Sequence, residues 1–112
     1  MLNSQPQKTL STISKISFSR YMRWEQQNNS QSGTQTCSFT SIFDGTSGNL
    51  ANNEFISGVT LTSAGSGQYS NNAIPFITGF SYTNSSASVS WYRNLNDGNN
   101  YLRIMVIVCK YE

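Results

Sequence analysis

The chain has 112 residues, enough for one domain with an independent but modest core. Only 11% of them are charged and the net charge is +2, so the clustered Lys and Arg of a non-specific nucleic-acid binder are missing. Ser, Thr, Asn, Gln and Gly supply about half of the chain, yet six Tyr, six Phe and two Trp are too many for a polymer that never buries them.

No stretch approaches the roughly 18 consecutive apolar residues of a membrane-spanning helix. Residues 1–9 are polar and hold Pro6; they read as a mobile arm ahead of a single domain over 10–112. They form no apolar h-region, so no signal peptide is expected: the chain is made and kept in the cytosol, leaves by another route, or has been trimmed.

From Leu10 to Trp24 two periods compete. Leu10, Ile13, Tyr21 and Trp24 fit one helical face, while Ile16, Phe18, Met22 and Trp24 alternate as a strand. The β-branched, aromatic and Ser-rich composition favours a strand over 14–24, with a short helix in its first half as the alternative. Within it, Arg20-Tyr21-Met22-Arg23-Trp24 mixes basic and aromatic residues as nucleic-acid surfaces do, but Arg stems lying over aromatic core residues explain it more simply.

Gln26 to Gly33 is an amide-rich loop. Thr34 to Phe43 alternates, with Cys37, Phe39 and Phe43 on one face and hydroxylated residues on the other. Asp44 to Asn49 is a turn. Glu54 to Thr62 places Phe55, Val59 and Leu61 on one face, and Ile74 to Tyr82 alternates Ile74, Phe76, Phe80 and Tyr82. Pro75 puts the start of that strand at an edge.

Ala87, Val89 and Trp91 alternate against Ser86, Ser88, Ser90 and Tyr92. The loop 93–100, built on Asp97-Gly98, carries a hairpin signal that joins this strand to the closing stretch Tyr101–Tyr111. That stretch is apolar on both sides: Leu102, Ile104, Val106 and Val108 on one, Met105, Ile107 and Cys109 on the other. Both faces are expected to be covered. Short strands separated by turn chemistry imply an all-β protein, an antiparallel, jelly-roll-like β-sandwich of about six to eight strands.

With no His in the chain, Ser-His and Cys-His dyads are excluded, as is a Cys/His metal cluster, and no cofactor is expected. The five acids, Glu25, Asp44, Glu54, Asp97 and Glu112, are scattered. Only Glu25 and Glu54 remain as a pair for glycoside hydrolysis, against the plainer reading of ion pairs or solvated side chains. A non-enzyme is expected. Cys37 and Cys109 are two buried free thiols or a disulfide between an early strand and the last one.

The candidate ligand surface is the tip of the last hairpin: Tyr92, Arg93, Asn96, Asp97, Asn99 and Asn100, with Tyr101 on the far side. Aromatic faces take the apolar patches of sugars, and planar amides and carboxylates chelate adjacent hydroxyls. The same residue types also make an ordinary turn. The candidate interface between copies is the stripe Leu102, Ile104, Val106 and Val108.

In texture, the Ser/Thr/Asn-rich strands, the segment Ser88-Val-Ser-Trp-Tyr92 and the apolar closing strand resemble the small β-sandwich domains of phage tail-fibre, head-fibre and decoration proteins. The resemblance implies a virion surface component, folded in the host cytosol without a signal peptide. It also implies a homo-oligomer, the trimer favoured, with other virion proteins and a host-surface glycan as partners. A stand-alone lectin-like module and a secreted β-sandwich toxin or effector are the alternatives.

Overall fold

The computed structural model describes residues 15–64, 74–94 and 101–112. They form two antiparallel sheets and no helix. The strands are β1 (Ile16–Gln27), β2 (Ser32–Ser38), β3 (Asp44–Gly45), β4 (Glu54–Ala64), β5 (Phe76–Tyr82), β6 (Ser86–Tyr92) and β7 (Tyr101–Tyr111). One sheet has the order β3-β1-β7-β4 and the other β2-β6-β5. Each sheet thus places a late strand between an early and a middle one. The pairs β1·β7 and β2·β6 form a ribbon that passes from one sheet to the other, and β4 and β5 take the far side of both. This is the jelly-roll-like winding expected of the sequence.

The closing strand is central in the four-stranded sheet. Leu102, Ile104, Val106 and Val108 are 1%, 2%, 0% and 0% exposed. Ile104, Val106 and Val108 cluster with Met22, Val59 and Leu61 from their own sheet, with Ala87, Val89 and Phe80 from the other, and with Phe39 just past the end of β2. The four residues nominated as an interface between copies are therefore buried in the core of the single chain. Cys37 joins that core while Cys109 lies on the opposite side of the four-stranded sheet, and both thiols are free.

The expected hairpin over residues 86–111 does not form, because β6 and β7 lie in different sheets. Their apolar stripes face each other across the core instead of sharing a ladder. Asp-Gly marks a loop without fixing which sheet the next strand joins.

Three β-bulges redistribute the aromatic residues. The β1·β7 register shifts between Phe18 and Arg20, β4·β7 between Ile56 and Gly58, and β5·β6 between Ile77 and Gly79. One extra residue moves everything beyond it to the other face. Phe18 and Phe55 consequently both pair with Cys109 on the outer side, while Met22, Trp24, Val59 and Leu61 point inward. Phe76 pairs with Tyr92 on the outer side of the second sheet, while Phe80 pairs with Val89 inside. Strict alternation had grouped each of these phenylalanines with the core. Phe43, grouped with Cys37 and Phe39, also leaves the core: β2 ends at Ser38, and Phe43 is 62% exposed beneath the Arg23 guanidinium.

The two tryptophans make opposite use of their indole N–H. Trp24 Nε1 donates to the carbonyls of Ser38 and Ser41, both at 2.9 Å, and pins the end of β2 to β1. Trp91 is 3% exposed, and its Nε1 has no acceptor. A buried orphan donor costs about 1–3 kcal/mol, so removing it offsets the smaller volume of a replacement. Trp91→Phe is expected to stay within about 1 kcal/mol of the parent, while Trp24→Phe loses about 1–2 kcal/mol although it is the less buried site. Urea midpoints of the two variants check this; a larger loss at Trp91 contradicts it.

Candidate functional site

The nominated ligand residues divide three ways. Tyr92 is exposed, at 41%. Asn96, Asp97, Asn99 and Asn100 lie outside the described residues. Arg93 is wholly buried and does not face solvent. Its Nε donates to the Ser30 carbonyl at 2.9 Å, its Nη2 donates to the Asn28 carbonyl, and its backbone N–H donates to the Gln31 carbonyl at 2.7 Å. Burial lowers the pKa of this guanidinium, and its Nη1 has no acceptor. Arg93 is a clamp on the β1–β2 connection. Alternation along β6 puts Tyr92 outward, so the next residue must point in. Through Gln31, whose Nε2 donates to the Tyr92 hydroxyl at 3.3 Å, the clamped segment steadies the exposed ring.

The outer face of the four-stranded sheet has two halves. At one end Ile16 and Phe18 from β1 and Phe55 from β4 surround Cys109 and Tyr111 of β7. Ile16 is 56% and Phe18 60% exposed, and the Phe55 and Tyr111 rings lie 5.4 Å apart. Ile107 and Met105, half-buried, extend this strip along the strand. Gly58, which follows the β4 bulge and pairs with Ile107, leaves open space where a side chain would stand.

The other half is ionic and balanced. Asp44 Oδ2 accepts from Arg23 Nη2 and from the Tyr21 hydroxyl, each at 3.1 Å. Glu25 Oε1 lies 3.2 Å from Arg103 Nε and 3.7 Å from Arg23 Nη1. The Tyr21 hydrogen bond holds the Asp44 carboxyl below its usual range, and that carboxylate raises the Tyr21 phenol. A shallow hollow of about 380 Å³ lies over Met105, between Tyr21 and Arg23 on one side and Thr60 and Thr62 on the other.

The carboxylates Glu25 and Glu54 do not form a pair. Their partners on β7, Arg103 and Lys110, are seven residues apart, roughly 24 Å along a strand. Each is held by arginine. Among the described residues no group of three or more His, Cys, Asp and Glu is placed to hold a metal ion.

Sequence reasoning missed Phe18, Phe55 and Phe76 as surface residues. Two of the three bulges carry a signal, since Gly58 and Gly79 each stand just past one and a glycine inside a strand pattern marks a bulge. The β1 bulge at Ser19 has no such mark. No known family matches this chain, and neither a characterised protein nor a solved structure is similar to it.

Proposed function

We propose that the chain is a non-enzymatic building block of a virion surface, a fibre or decoration component that assembles with copies of itself through the outer face of its four-stranded sheet. The observation that carries this reading is the exposed apolar end of that face, with Ile16 and Phe18 more than half open to solvent beside Phe55, Cys109 and Tyr111. Contiguous apolar surface of this kind marks an interaction site. The other half of the face supports a copy as the occupant. Asp44 and Glu25 balance Arg23 and Arg103, so neither sign repels a second copy. Homo-oligomers bury such patches between their copies, through head-to-tail contacts where three copies close a ring. The trimer is the arrangement that the fibre-domain resemblance favours, and other virion proteins would join through the remaining surface. Folding in the host cytosol and work on the particle exterior fit the neutral, hydroxyl-rich composition.

Light scattering on the full chain tests the reading. The expected mass is three times the 12.4 kDa of the chain. Phe18→Asp is expected to return the mass to that of one chain, because an uncompensated charge in the interface raises the dissociation constant at least about a hundredfold. Phe18 is 60% exposed in the single chain, so the substitution leaves the fold intact. A parent protein that stays monomeric at the highest soluble concentration overturns the proposal.

A further inference from the structure

We propose that the outer face of the three-stranded sheet is a binding surface for neutral carbohydrate, with Phe76 and Tyr92 as its stacking platform. This goes beyond the assembly reading and does not depend on it, since it concerns the opposite side of the sandwich.

The chemistry of the face is uniform. Strands β2, β5 and β6 contain no Asp, Glu, Lys or Arg. Across their outward positions, Thr34 and Ser90 hydroxyls meet at 2.8 Å and Thr36 and Ser88 hydroxyls at 3.2 Å. A hydroxyl donates one hydrogen bond and accepts two, so each member of these pairs keeps capacity for a ligand. The cross-strand bonds fix their directions in advance, which lowers the entropic cost of binding.

At the end of this hydroxyl ladder stand two rings. Phe76 is 57% and Tyr92 41% exposed; their centroids are 5.6 Å apart and their planes meet at 58°, so each keeps an open face. The bulge between Ile77 and Gly79 is what turns Phe76 outward, and Gln31 holds the Tyr92 hydroxyl. Gly79, paired with Ser90 next to the rings, has no side chain, and an added Cβ would find only ordinary contact 3.6 Å from Ser90 Cβ. No side chain at Gly79 therefore stands between the aromatic rings and the hydroxyl ladder. Aromatic faces suit the C–H surface of a pyranose, and hydroxyls suit its rim. The lack of charge leaves an anionic ligand without a partner. A shallow face of this kind binds weakly, with a dissociation constant of roughly 0.1–1 mM.

Affinity electrophoresis of the full chain through gels containing dextran, mannan, galactan or heparin, each compared with a polysaccharide-free gel, tests the proposal. Retardation is expected in at least one neutral polysaccharide and not in heparin. Phe76→Ala and Tyr92→Ala each weaken it at least tenfold, and Gly79→Leu, which sets a bulky side chain beside the rings and leaves both in place, does the same. All three positions are on the surface, so thermal midpoints near that of the parent confirm that folding is not the cause. Phe18→Asp keeps the retardation per chain, so failure of self-association and failure of carbohydrate binding are separately visible. No retardation in any neutral gel, retardation in heparin alone, or retardation that survives both aromatic substitutions overturns the proposal.

Discussion

Glu54→Gln is expected to lower the unfolding free energy by about 3 kcal/mol at neutral pH and to remove most of the acid limb of the stability profile. Glu54 closes one end of the sandwich. Its Oε2 accepts from Arg20 Nε at 3.1 Å and Ser19 Oγ at 2.6 Å, and its Oε1 accepts from Arg20 Nη2 and the Ala51 N–H, both at 2.9 Å. The side chains of the ion pair are only 11% and 10% exposed. The same guanidinium donates to the carbonyls of Thr46 and Asn49, so it ties the β3–β4 connection to β1. These hydrogen bonds, Arg20 foremost, pull the Glu54 carboxyl down to about 2 from an ordinary 4.5.

The sign follows from that direction. Because the folded value is depressed, the stabilisation is complete above about pH 4.5 and is lost as pH falls toward 2. At about 1.4 kcal/mol per pH unit the shift corresponds to about 3 kcal/mol. Urea midpoints measured from pH 7 down to pH 2.5 check this. The parent falls steeply below pH 4.5 and Glu54→Gln does not; parallel curves contradict the role given to the pair.

Gly45→Ala is expected to cost about 2–4 kcal/mol, out of proportion to one methyl group on an exposed two-residue edge strand. Gly45 has φ of +108°, and a Cβ there would stand 2.2 Å from the Tyr21 carbonyl oxygen. That carbonyl also accepts from the Thr46 N–H at 3.0 Å, while the Phe43 N–H bonds the Arg23 carbonyl at 2.8 Å. The substitution must therefore push β3 off the edge of β1. Gly58 is the control. It has no such φ, and nothing lies within 4 Å of an added Cβ, so Gly58→Ala is neutral or stabilises by up to about 1 kcal/mol. Equal effects at the two positions would contradict the distinction.

Much of the fold was legible because hydrophobic period and turn composition agree along the chain. The strands around Met22, Val59, Val89 and Val106 sit where alternation puts them, and the all-β sandwich follows from their spacing. What escaped was the face of particular residues and the partner of particular strands. Alternation assumes an unbroken ladder, and one bulged residue inverts it. Phe18, Phe55 and Phe76 read as sharing a face with Met22, Val59 and Phe80 respectively, and became the main aromatic features of two outer faces. Arg93 read as a loop-tip ligand residue and became a buried clamp, because β6 runs through Tyr92 and alternation carries the next side chain inward. The closing strand read as apolar on both sides; it is central in its sheet, and its inner stripe is buried in the chain's own core. The hairpin failed because local composition marks a turn and says nothing of which long-range ladder the next strand will join.

The two outer faces therefore differ in kind. One is apolar at one end and charge-balanced at the other; the second is uncharged and hydroxylated with two open rings. Assembly through the first leaves the second outward.

Alkylation of the two cysteines by a maleimide, followed over a range of protein concentration, tests most directly which face is the interface. Cys37 is 2% exposed and burial pushes its thiol up to about 12, so it stays silent in the folded chain. Cys109 lies in the middle of the proposed interface, between Phe18 and Phe55. Its alkylation in the parent protein is expected to slow at least about tenfold as concentration carries the chain into its oligomer. In Phe18→Asp it stays fast throughout. A Cys109 rate that is independent of concentration and equal in the two proteins would show that this face is not where copies of the chain meet.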